Sequence, residues 1–175
     1  MPFDLLGRLR ALLDGDAPRP VGHPLRALVD EHMASASEAS RRIVTAVVGL
    51  MATVAHADAR LDAGERAKVR EVLARFSELP PAGADAIVRL LAEDLASVAL
   101  ASDQRWIRDL REDADPAQRR EVLDVLVELA AADGSIAHLE ANLLRRLTTR
   151  LGLDQGDYVD AQARHRDKLA VLKNG

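Results

Sequence analysis

The chain has no cysteine, which excludes disulfides, thiolate metal sites and a cysteine nucleophile. Such a chain suits a reducing compartment. Aromatic residues make up only 2% against 48% hydrophobic residues, so Ala, Leu and Val must fill the interior. Ala and Leu favour helix, whereas strands draw on β-branched and aromatic side chains. Ten glycines and seven prolines leave few tight turns. No apolar run reaches the roughly 18 residues from which a membrane-spanning helix is read. Excess positive charge is missing too. With 24 basic and 28 acidic residues and a net charge of −4, nucleic acid is not expected as a partner. The opening MPFDLLGRLRALLDG mixes Asp4 with Arg8 and Arg10, where a secretory signal needs a basic start and an unbroken apolar run. A cytoplasmic protein is the resulting expectation.

What is present reads as helix throughout. Phe3, Leu5, Leu6, Leu9, Leu12 and Leu13 recur at helical spacing, and the stretch DGDAPRPVG, Asp14 to Gly22, follows as a linker. Residues 1–22 are therefore expected to be an amphipathic helix plus linker, and residues 23–175 a helical domain. The helix's mixed-charge polar face fits packing on the domain or on a protein partner better than peripheral membrane contact. Start signals then recur. Ser35 with Glu38, and Asp62 with Glu65, have capping-box spacing, as does Asp115 with Gln118. Pro81 and Pro116 suit first helical turns, and Ser102 can cap the segment DQRWIRDLRED. Gly152 closes a helix beginning near Ala137, and Asp154 caps a last one through Lys168.

Sliding the chain on itself exposes a repeat. Asp58 and Asp133 lie 75 apart (133 − 58), and so do Glu65 and Glu140 (140 − 65). At that offset Val47 meets Val122, Met51 meets Leu126, Val54 meets Leu129, Leu61 meets Ile136 and Val72 meets Leu147. A duplicated helix–turn–helix, with halves of about 41–76 and 116–151, is the simplest explanation.

The two copies read HADARLDAGE and AADGSIAHLE, and TTRLGLDQGDY follows the second. Together they resemble the tellurite-resistance TerB-like family. The resemblance implies an all-helical, internally duplicated domain, linked to resistance to tellurite and other stresses and to membrane- or metal-associated complexes. It implies no enzyme activity. The fold expected is an all-α compact bundle of about seven to nine helices.

The second joint also invites a calcium-loop numbering, in which ligands fall at positions 1, 3, 5, 7, 9 and 12 with glycine at 6. With Asp133 at 5, Gly134 falls at 6 and Glu140 at 12, but positions 1 and 3 are Leu129 and Ala131. The first copy has Val54 and His56 there, and Ala59 in place of the glycine. An EF-hand site is not expected on this count. Helix capping explains the glutamates, because a carboxylate in a helix's first turn faces its positive end. Asp58 and Asp133 fall at helix C-termini, where a negative charge is disfavoured. They require offsetting donors or a cation. If the joints face each other, Asp58, Glu65, Asp133 and Glu140 would form an oxygen-only set suited to Mg²⁺ or Ca²⁺.

The five histidines, His23, His32, His56, His138 and His165, show no paired ligand spacing and read as solvated. Trp106 reads as a core anchor with Ile107 and Leu110, and ARHRDK, Ala163 to Lys168, as a solvated face. No nucleophile elbow or P-loop occurs. The expected function is a non-catalytic TerB-like stress or tellurite-resistance domain acting through a protein partner, with a divalent-cation site at the four acids. A purely structural adaptor whose acids only cap helices, and a metal-dependent enzyme using converged carboxylates, stay open as alternatives.

Overall fold

The computed structural model describes residues 23–57, 61–101, 103–132, 136 and 138–172. Among them the chain forms eight helices and no strand: α1 (Pro24–His32), α2 (Glu38–Ala57), α3 (Ala63–Leu73), α4 (Pro81–Leu100), α5 (Asp103–Asp113), α6 (Pro116–Ala130), α7 (His138–Arg150) and α8 (Gln155–Leu172). The expected N-terminal helix and its linker lie outside the described residues, as does Ser102.

The bundle is organised around α2. From Val44 to Ala55 every residue except Thr53 is buried, the pattern of a helix enclosed on all sides. Its neighbours are α1, α4, α5, α6 and α7. Trp106 and Ile107 of α5, Leu126 and Leu129 of α6 and Leu144 of α7 complete the core, so the tryptophan is the anchor its spacing implied.

One contact depends on a missing side chain. A Cβ on Gly49 would stand 2.5 Å from Trp106 Nε1 and 2.6 Å from Cε2, far inside van der Waals contact. Glycine lets the indole lie directly on the α2 backbone, drawing α5 against the central helix. The N-terminal half of α2 is tied to α5 by charge as well. Arg42 reaches the buried Asp109 at 3.1 Å, Glu112 at 2.7 Å and Asp113 at 3.0 Å.

Most helix ends follow local chemistry. Asp62 and Asp115 form reciprocal capping boxes with Glu65 and Gln118, and Pro81 and Pro116 open α4 and α6. Asp154 Oδ1 accepts the Asp157 N–H at 3.0 Å at the head of α8, which runs on to Leu172 rather than ending at Lys168. Gly152 takes a φ of 73° past the end of α7, a conformation costly to residues with a Cβ.

Ser35 does not start α2. Ser37 Oγ accepts the Ser40 N–H at 3.0 Å and the helix begins at Glu38. The Glu38 carboxylate, expected to complete the Ser35 box, is instead held by Arg26 at 2.8 Å and Arg41 at 3.1 Å. His165 departs from expectation too: it is buried, inside the segment read as a solvated face. Its neighbour Arg164 is exposed and pairs with Asp124 at 2.6 Å.

Candidate functional site

The two helix joints carry the candidate acids. At the first, α2 ends at Ala57, half-buried Leu61 returns to the core, and α3 begins at Ala63. Asp62 Oδ1 accepts the Glu65 N–H at 2.8 Å, while Glu65 Oε2 accepts the Asp62 N–H at 2.7 Å. Arg66 donates to the Leu61 carbonyl at 3.2 Å and holds the turn from the other side. At the second joint α6 ends at Ala130, half-buried Ile136 returns to the core, and α7 begins at His138. The helix starts differ by 138 − 63 = 75 residues, so Glu65 and Glu140 each stand third in their helix.

Their surroundings differ. Glu65 is half-exposed in its capping box, whereas Glu140 is 3% exposed and engaged in a polar interaction. A carboxylate so buried stays ionised only with donors or a cation beside it. Position 137, where a capping side chain would stand, is alanine. Asp58 and Asp133 lie outside the described residues, as do Ala59 and Gly134.

The pairs of helices pack reciprocally. Besides α2 on α6, α2 touches α7 and α3 touches α6, so each leading helix lies on the other pair's trailing helix. The α3–α6 seam is closed by charge. Lys68 pairs with Glu71 at 2.7 Å and Glu128 at 3.0 Å, and Arg75 reaches the same two acids. Burial pushes Glu128 up, but the Lys68 hydrogen bond and the nearby charges of Lys68, Arg75 and His165 hold its carboxyl below the usual range. Hydrogen bonds from Lys68 and Arg75 likewise lower Glu71.

Beside the first joint opens a cleft of about 600 Å³ that the sequence did not disclose. Asp94 breaks α4 with φ −145° and ψ 52°, and its carboxylate accepts the Ser97 N–H at 3.3 Å to restart the helix. The signal was an Asp-x-x-Ser spacing inside an otherwise helical run. Asp62, Glu93, Asp94 and His56 line this cleft. Among the described residues, however, no three or more His, Asp or Glu side chains come close enough to hold a metal ion.

An all-helical bundle is what the resemblance implied. The sequence model of the family described as tellurite resistance protein TerB matches residues 44–163, from α2 into α8. The chain belongs to the TerB family. No curated protein and no solved structure matches it. The TerB match takes in both joints and leaves out α1. The four acids expected as a cation site would offer carboxylate oxygens alone, the donors that a hard cation takes. In this TerB domain one of the four, Glu65, already spends an oxygen on its helix cap. No described helix is long and apolar enough to cross a membrane.

Proposed function

We propose that this TerB-family chain is a non-catalytic stress or tellurite-resistance domain that works by binding a protein partner. We further propose that Asp58, Glu65, Asp133 and Glu140 at its two joints hold one divalent cation, Mg²⁺ or Ca²⁺. The observation that carries the cation is the equivalence of the joints. Two glutamates stand third in helices whose starts are 75 residues apart, and one of them is buried. Each has an aspartate seven residues before it. Reciprocal packing of the two helix pairs supports their acting as one unit.

A second reading is favoured by a specific observation at the first joint. There the Asp62–Glu65 box already satisfies the N–H of Glu65 and that of the cap residue Asp62, so Glu65 has a structural use without metal. The two readings separate by titration. Chelator-treated full-length protein is titrated calorimetrically with Mg²⁺, Ca²⁺, Mn²⁺ and Zn²⁺, and its melting temperature is followed at millimolar ion. Binding of Mg²⁺ or Ca²⁺, lost in Asp133→Asn/Glu140→Gln with helicity retained, is the expected result. No heat and no shift in melting temperature would leave the acids as caps only.

A further inference from the structure

An apolar groove runs over α2 between α3 and α6, away from the joints. Its floor is Val47, Val72, Val122 and Val125, with half-buried Ile43 and Phe76 at its lip, and it encloses about 540 Å³. A smaller hollow of about 210 Å³ continues it past Ile43 and Phe76 towards Met33. Acids predominate along the rim. Exposed Glu121 stands on the α6 side and exposed Glu78 at the far end, while half-exposed Asp124 is already paired with Arg164, and Arg75 with Glu71 and Glu128.

We propose that this groove is the docking site of the chain's own N-terminal segment, residues 3–13. The proposal rests on three matches and is independent of any metal at the joints. The segment carries an apolar stripe, Phe3, Leu5, Leu6, Leu9, Leu12 and Leu13, and a helix this short gains its stability from a surface to pack on. Helical periodicity sets Arg8 beside Leu12 at one edge of that stripe and Arg10 between Leu6 and Phe3 near the other, where a groove rimmed by Glu121 and Glu78 would meet them. The reach is sufficient. The nine residues from Asp14 to Gly22, with Pro18 and Pro20 favouring an extended chain, span about 30 Å. The linker ends at α1, which carries the chain over about 15 Å from His23 to Met33 at the hollow that continues the groove. Docking covers Ile43 and Phe76.

The absence of cysteine makes the test direct, since an introduced cysteine is the only attachment point. Gly7→Cys lies on the polar face of the segment and carries a nitroxide spin label in the full-length protein. Methyl signals of Ile43, Val47, Val72, Val122 and Val125 are expected to lose most of their intensity, while those of Leu100 and Leu139, outside the groove, keep theirs. Leu5→Asp/Leu9→Asp, changed only in the segment, should restore the groove signals, and so should Phe76→Glu on the groove side. Unchanged groove signals in the labelled parent would overturn the proposal. So would loss that survives Leu5→Asp/Leu9→Asp. Loss that appears only between spin-labelled and isotope-labelled molecules mixed together would overturn it in favour of a second copy as occupant.

Discussion

Gly49→Ala sets two effects against each other, and the packing of α5 decides between them. Inside a helix alanine is favoured over glycine by about 0.8–1 kcal/mol, so local propensity alone makes the change stabilising. At this position the new methyl would meet three atoms of the Trp106 ring at 2.5, 2.6 and 2.8 Å, against a normal separation of about 3.5 Å. The indole is 4% exposed and cannot swing into solvent, so α5 must back away from α2. Overpacking of this kind costs about 1–3 kcal/mol, and three close atoms on a rigid ring put it towards the upper end. The net expectation is a loss of about 1–2 kcal/mol, or about 2–8 °C in Tm for a chain of this length. Urea unfolding read by far-UV circular dichroism measures it, and fluorescence of Trp106, the only tryptophan, reports the contact itself. Gly64→Ala is the control, since its new methyl meets only the Asp62 carboxylate at 3.3 Å and should leave stability unchanged or slightly raised. Trp106→Phe in the Gly49→Ala background should recover part of the loss through the smaller ring. A Gly49→Ala variant as stable as its parent would refute the close α2–α5 contact.

Gly152→Ala should cost about 1–2 kcal/mol through its left-handed backbone, with Arg119 Nη1 only 2.9 Å from the added methyl; an unchanged denaturation midpoint would count against that turn. Asp115→Ala removes the acceptor of the Gln118 N–H and should cost about 1 kcal/mol in the same assay; no loss would mean that the cap contributes nothing. Stability should also fall in acid. The Asp154 N–H and the Arg120 guanidinium hold Asp157 low, and Lys68 and Arg75 hold Glu71 low. A carboxylate whose folded pKa is depressed stabilises above its unfolded pKa, about 3.9 for Asp and 4.3 for Glu, and loses that contribution as pH falls through the folded value. Denaturation midpoints should therefore hold from neutral pH to about 5 and drop below it. The drop should be shallower in high salt and in Glu71→Gln/Asp157→Asn; identical profiles for parent and variant would contradict this assignment.

The helix starts that could be read from sequence were those whose caps are made within four residues. Asp62, Asp115 and Asp154 bond the third N–H ahead of them, and Gly152 turns the chain by its own freedom. Ser35 misled because Glu38 sits three residues on, yet that glutamate answers to Arg26, twelve residues upstream in α1. The same limit explains Arg42, whose acids lie in α5, and His165, whose charged sequence neighbours gave no sign that α8 turns it inward. For the site, the spacing located both glutamates in the first turn of a helix, where the structure has them third. Their unequal burial was not legible, because it depends on what packs over each joint and not on the joint itself. Nor was the cleft at Asp94, which needs both the break in α4 and the first joint beside it.

Enclosure of α2 from every side has a consequence for how the chain is made. Helices α1, α4 and α5 can cover it once residue 113 has emerged, but α6 and α7 extend to residue 150. A ribosome adding about 5–20 residues per second needs several seconds to go from the end of α2 to the end of α7. Throughout that interval the central helix of the bundle keeps one apolar flank open to water and to other chains. The second helix pair thus acts as a late-arriving lid on the first, and a polypeptide stalled or truncated before α7 would present a sticky surface that the finished molecule never shows.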